Sequence, residues 1–257
     1  MAFVKIGLSP ARYDGFDGDF YSVPASNVDE VYAKGGIPEI SFDCNGPAVA
    51  LVIGRYGNGA KKDYGIAKSY VDALCINGAR PVFLTYGNTQ EQLEHFKPAA
   101  ILLPGGDFPA PREWYVNDPI YSGADLGRFG AYMAALDYAR ENRLPALGVC
   151  AGEQVMAGAL GGKLASGINI PDAMINHREK DAEHYVAVIP GTLLHRVVGK
   201  DALVVNSFHN EAVVGGGGFK VSAFAPDGTI EAIEPAEPWS EFVLGVQWHP
   251  EKLAAAD

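Results

Sequence analysis

A chain of 257 residues, 48% hydrophobic and 20% charged, is long enough to bury one substantial core. Its net charge of −11 argues against a nucleic-acid partner, whose phosphates demand a basic face. No apolar run approaches the ~18 residues of a membrane helix, and the opening MAFVKIGLSPARYDG lacks the basic-then-apolar order of a secretory signal.

In chain order, KIG (5–7) and NVDEVYAKGGIPEISF (27–42) are echoed by VIG (52–54) and SYVDALCINGARPVFL (69–84). Both stretches read as strand, loop, helix, glycine, proline, strand. They are either two similar βα units or a duplicated β-α element, within residues 1–45, that adds an edge strand or a homo-oligomer contact. AVALVIG (48–54) predicts a buried strand, residues 66–77 an amphipathic helix, and RPVFLTY (80–86) the next strand. AAILLPGG (99–106) predicts a strand running into a glycine turn, residues 125–142 a helix, LPALGVC (144–150) a strand, and residues 151–160 a helix closed by Gly161-Gly162. The final third turns to short strand-like runs: HYVAVIP, ALVVNSF, FKVSAFAP, TIEAIEP and FVLGVQW. The pattern predicts one α/β domain over 1–257, with a mostly parallel sheet and a small antiparallel portion in the C-terminal third.

Cys44, Cys75 and Cys150 are an odd and sparse set, which points to a reducing cytoplasm and one special thiol rather than a disulfide framework. Cys150 is that thiol. It stands in GVCAGEQ (148–154), at a predicted strand-to-helix junction where a strained elbow lifts a nucleophile above the sheet edge and tolerates only small neighbours. The helix N-terminus favours thiolate, and the backbone N–H of Ala151 would point at a developing oxyanion. A lone cysteine is more often a buried structural one, so its partners matter. Near the end of the chain GVQWHPE (245–251) offers His249 as general base and Glu251 as its orienter, with Pro250 rigidifying the turn.

Taken with PGG (104–106) and VNSFH (205–209), these motifs resemble the class I glutamine amidotransferase superfamily, and within it the γ-glutamyl-γ-aminobutyrate hydrolase family. The resemblance runs from about residue 48 to 252. It implies a three-layer α/β/α fold, a Cys150–His249–Glu251 triad and an oxyanion hole from the N–H groups of Gly106 and Ala151. It also implies that Gln154, Ser207, Phe208 and His209 hold a glutamyl group. The expected reaction is hydrolysis of the γ-amide of a small γ-glutamyl compound through a thioester, with no cofactor. A glutaminase subunit feeding a separate synthetase, and a non-catalytic protein of the same fold, are the alternatives.

The chain departs from the family pattern in four places. Ala151 stands where arginine is common and Glu153 where an apolar residue is. Asn210-Glu211 replace a histidine and a glutamine, and Asp107-Phe108 follow PGG in a loop one residue short. Glu153 suits the helix dipole and could act in a capping box, but as a carboxylate it would oppose a nearby thiolate. His177, His184, His195, His209 and His249 crowd the C-terminal half without HExxH or paired CxxC spacing, so no metal is expected. His177 and His184 lie in a charged stretch that reads as solvated surface or, alternatively, as part of the substrate entrance.

Overall fold

The computed structural model describes residues 2–7, 9–11, 19–42, 44–56, 63–106, 110–119, 126–168, 175–179 and 182–253. The N-terminal part forms β1 (Phe3–Lys5), β2 (Ser9–Ala11), β3 (Phe20–Pro24), α1 (Ala25–Ala33) and β4 (Ile37–Ser41). Next come β5 (Ala48–Val52), β6 (Gly54–Tyr56), β7 (Asp63–Ala67), α2 (Lys68–Ile76), β8 (Arg80–Leu84), α3 (Thr89–Phe96) and β9 (Ala100–Leu103). A short 3-10 turn (Arg112–Trp114) precedes α4 (Leu126–Glu141), β10 (Ala146–Val149), α5 (Ala151–Ala159) and β11 (Gly162–Ser166). The last third holds β12 (Glu183–Val188), α6 (Leu193–Val198), β13 (Ala202–Asn206), β14 (Glu211–Gly216), β15 (Phe219–Phe224), β16 (Ile230–Pro235), β17 (Val243–Val246) and α7 (Pro250–Leu253).

One sheet dominates, in the order β1-β4-β8-β5-β9-β10-β17-β16-β15-β12-β13. Its middle, β8-β5-β9-β10-β17, is parallel, and these strands are continuous apolar runs because helices cover both faces. The C-terminal strands β16, β15, β12 and β13 continue the same sheet antiparallel, joined to it through β17. Two smaller sheets, β11-β14 and β2-β3-β7-β6, accompany it. Residues 66–67, expected in a helix, belong to strand β7, and the helix starts at Lys68.

The N-terminal echo has a spatial counterpart. β1 pairs parallel with β4 as β5 pairs parallel with β8, and the two units meet antiparallel through β4–β8 and through β3–β7. The small sheet has the same symmetry, β2 and β6 flanking the central β3–β7 pair.

The cysteines are not all free, which corrects the sequence expectation. Cys44 and Cys75 form a disulfide with Cα atoms 5.6 Å apart, leaving Cys150 as the free thiol. The cause is topological. A β5-α2-β8 crossover must return the C-terminal end of α2 to the edge where β5 begins, and so brings Cys75 to the segment that precedes β5. Among the described residues no helix is long and apolar enough to cross a membrane.

Candidate active site

Parallel pairing places three loops at one edge of the sheet. The registers Gly148↔Leu103 and Val149↔Val246 put the ends of β9, β10 and β17 level. Cys150, the Pro104–Gly106 turn and the Gln247–His249 segment therefore emerge together, at the carboxyl ends where open α/β sheets bind ligands.

Cys150 is the N-cap of α5 and holds φ 52°, ψ −108°. A non-glycine residue with such a φ is strained and persists only where its surroundings hold it. Here its N–H donates to the Val246 carbonyl at 2.8 Å, and its own carbonyl accepts from Gln154 N–H at 3.1 Å to start the helix. The helix can approach this closely because Gly152 has no Cβ; one there would strike the Leu103 carbonyl. Cys150 is 8% exposed and lines a cavity whose walls include Tyr70, Gly106, Phe208, His249 and Glu251.

His249 Nδ1 and Glu251 Oε1 are 2.7 Å apart, both groups buried. The backbone of His249 is clamped by one side-chain amide: Asn206 Nδ2 donates to its carbonyl at 2.8 Å, and its N–H donates to Asn206 Oδ1 at 2.8 Å. Burial works against charge on His249, but the Glu251 carboxylate and the neighbouring Cys150 sulfur outweigh it and raise the imidazole to about 10. The histidine is thus a cation at neutral pH.

The glycine turn is held from several sides. Gly105 N–H donates to the Tyr70 hydroxyl at 2.8 Å, Arg128 Nη2 donates to the Gly105 carbonyl at 2.7 Å, and the Tyr132 hydroxyl donates to the Pro104 carbonyl at 2.5 Å. A Cβ on Gly105 would lie 2.7 Å from His249 Cε1 and 3.3 Å from Cys150 Cβ, so the turn, the cysteine and the histidine are packed against one another. Tyr70, Arg128 and Tyr132 are not singled out by the sequence, where nothing in their local patterns distinguishes them from ordinary element residues, and Asn206 stands there only as a member of the VNSFH motif.

Of the four residues expected to hold a glutamyl group, Phe208 lines the cavity, its ring 5.2 Å from Lys252 Nζ and 5.3 Å from the Arg178 guanidinium carbon. The other three are buried, with polar atoms engaged inside the protein. Gln154 Nε2 donates to the Glu211 carbonyl at 2.9 Å. Ser207 Oγ donates to the His177 carbonyl at 3.1 Å, and His209 Nδ1 lies 3.0 Å from the Glu211 carbonyl. Ala151 is buried at the first position of α5. Asp107-Phe108 lie outside the described residues.

Two further expectations change. Glu153 makes no capping box: Cys150 caps α5 without a side-chain bond, and Glu153 is 0% exposed. Burial first, then Glu231 and Cys150, push its carboxyl well above the usual range, which favours the neutral acid. A neutral acid does not oppose a thiolate. His177 and His184 are buried, not solvated.

A cysteine elbow facing a buried histidine–glutamate pair, at the carboxyl edge of a parallel sheet, defines a cysteine-dependent amidohydrolase of the glutamine amidotransferase-like class. Residues 51–251 match the model of the Peptidase C26 family, and the chain belongs to that family. Gamma-glutamyl-gamma-aminobutyrate hydrolase PuuD of Escherichia coli is 30% identical over 222 residues, covering 80% of this chain and 86% of that protein. Protein NtpR of Enterococcus hirae is 31% identical over 159 residues, 59% of this chain and 66% of its own. A glutamine amidotransferase crystal structure from Thermotoga maritima superposes with TM-score 0.53 over 80% of this chain and 76% of that one; at 14% identity it speaks for the fold alone.

Proposed function

We propose that the protein hydrolyses the γ-amide bond of a small γ-glutamyl amine compound through a thioester on Cys150. The observation that carries this reading is Cys150 held at φ 52° on the end of α5, sharing a cavity with the 2.7 Å His249–Glu251 pair. In this reading the sulfur attacks as thiolate while His249 carries the proton. The C–N bond breaks as that proton passes to the leaving amine. Water, deprotonated by His249, then releases the glutamyl group and frees the sulfur. Glu251 holds the ring and stabilises the imidazolium. The N–H groups of Gly106 and Ala151 face the oxyanion, the first steadied by the bonds that lock its turn. Lys252 and Phe208 on the cavity wall suit the carboxylate and the methylenes of a glutamyl group.

The name of the E. coli relative supports the γ-glutamyl substrate class. The composition-based expectation of a cytoplasmic location stands against the Cys44–Cys75 disulfide, which favours an oxidising compartment. The test is a panel of γ-glutamyl amides assayed with wild type and Cys150→Ser. We expect turnover by the isolated wild-type protein and a loss of at least about 10³-fold in the variant. Hydrolysis surviving the substitution at full rate overturns the mechanism. Turnover that appears only with a partner supports the ammonia-delivering alternative.

A further inference from the structure

Behind Phe208 lies a second cluster of titratable side chains that the reaction does not use. Glu231, on β16, is 0% exposed, and among the described residues it forms ion pairs with imidazoles and with no lysine or arginine. Its Oε1 lies 3.3 Å from His184 Nε2, 3.6 Å from His177 Nδ1 and 3.7 Å from His209 Nε2. The ligand-capable atoms of His177, His184 and Glu231 all fall within 4.8 Å of one another.

The outer partners of these rings fix which nitrogen faces inward. His184 Nδ1 is 3.1 Å from the Tyr185 carbonyl, which can only accept, so a neutral His184 carries its proton on Nδ1 and turns the Nε2 lone pair toward Glu231. His177 Nε2 is 2.9 Å from Asp227 Oδ2, so a neutral His177 with its proton on Nε2 turns the Nδ1 lone pair inward, where the Ser207 hydroxyl also lies within 3.1 Å. His209 repeats the pattern through its 3.0 Å contact with the Glu211 carbonyl. An imidazole whose second nitrogen is pinned by a carbonyl or a carboxylate is the usual arrangement around a bound metal. Lone pairs aimed at a buried carboxylate repel it unless a cation stands between them.

A proton on one ring is the simplest such cation, but it requires a hydrogen bond near 2.7–3.2 Å. The shortest approach to Glu231, from His184 Nε2, is 3.3 Å and so longer than that, whereas the His249–Glu251 pair in the same protein closes to 2.7 Å. Bonds of about 2.0–2.1 Å in a tetrahedron instead separate the ligand atoms by about 3.3–3.4 Å, close to the distances found here. We propose that His177, His184 and Glu231, with His209 beside them, form a binding site for one divalent cation of the zinc type. It would be a structural site. It would tie the 175–179 segment to β12 and β16, and through the His177–Ser207 bond it would brace the loop that carries Phe208.

The test uses tag-free protein carrying Cys150→Ser, so that the nucleophile cannot ligate, with the disulfide left intact. The protein is stripped with chelator and titrated with Co²⁺, reading the visible absorption of the ion and the metal bound per chain, and then with Zn²⁺ in competition. We expect about one ion per chain, a tetrahedral Co²⁺ spectrum abolished by Zn²⁺, and a rise in melting temperature on loading. Glu231→Gln and His184→Asn should each weaken uptake by at least about 100-fold, and Asp227→Asn, an outer partner, by about 10–100-fold. No uptake by the Cys150→Ser protein, or equal uptake by protein carrying Glu231→Gln, overturns the site. The first of these holds even if the ligand variants fail to fold.

Discussion

Gly105→Ala offers a sharp test of the packing that joins the glycine turn to the His249–Glu251 pair. The new methyl carbon would sit 2.7 Å from His249 Cε1, against an ordinary carbon–carbon contact of about 3.5–4.0 Å, an overlap near 1 Å. It has nowhere to slide, because the Tyr70 hydroxyl and Cys150 Cβ lie 3.1 and 3.3 Å away. The imidazole must give, yet it is held by the 2.7 Å contact to Glu251 and by the two 2.8 Å bonds from Asn206 to its backbone. Overpacking of this kind costs about 1–3 kcal/mol of stability. At roughly 2–4 °C per kcal/mol the melting temperature should fall by between about 2 and 12 °C, leaving the protein folded at assay temperature. A displacement of about 1 Å in a reacting group costs about 10²-fold in rate, so kcat should fall about a hundredfold in folded enzyme. Gly130→Ala, where a Cβ would meet nothing within 4 Å, serves as the control and should keep wild-type turnover. Calorimetry and steady-state kinetics on the two proteins decide the matter. Turnover by Gly105→Ala within threefold of wild type would show that His249 is not held against this turn.

Two other perturbations follow from the structure. Glu153 is neutral in the folded protein and ionises above about 4.5 when unfolded, so folding takes up a proton. Its contribution to stability is therefore complete below about pH 4.5 and declines, by up to about 1.4 kcal/mol per pH unit, as pH rises toward the raised native value. Glu153→Gln removes that decline, and urea titrations should show it gaining stability on wild type as pH rises from 5 to 7; an equal difference at both pH values would mean a charged Glu153. The Cys44–Cys75 disulfide closes a separation of 31 residues, for which chain entropy gives about 3.7 kcal/mol. Cys44→Ser/Cys75→Ser should lose about that much in urea, and unreduced denatured wild type should titrate one thiol; three thiols would refute the bridge.

The parts of the site that were legible before the fold was known are those whose chemistry is carried by immediate neighbours. Gly148 through Gln154 encode an elbow because the apolar strand, the cysteine and the small residues are contiguous, and His249 and Glu251 share one turn for the same reason. What was not legible is carried by contacts across the chain. Tyr70 meets Gly105 over 35 residues and Asn206 meets His249 over 43, and neither partner shows any local sign of it. Glu153 was misread because helix position suggested a cap, while burial against the sheet decides its state. His184 was misread because its neighbours are charged. On β12, however, exposure alternates from Glu183 onward, and period two sends His184 and Val186 inward while Glu183 and Tyr185 face water. The disulfide was hidden by the crossover that makes it.

The N-terminal repeat reaches the cavity that holds Cys150. The family match begins at residue 51, after the first repeat, and includes Cys150, His249 and Glu251. The cavity wall does not respect that division: Phe20 on β3 lines it together with Ile66 and Ala67 on β7. These positions face each other across the antiparallel β3–β7 pair, with Phe20 opposite Ala67 and Tyr21 opposite Ile66. An apolar side chain from the first repeat and two from the second thus help to line a cavity that Gly105, Cys150 and His249 line from the loops after β9, β10 and β17. Strand pairing sets the position of Phe20, so a shift of one residue in the β3–β7 register would exchange the faces of the strand and withdraw the ring from the cavity.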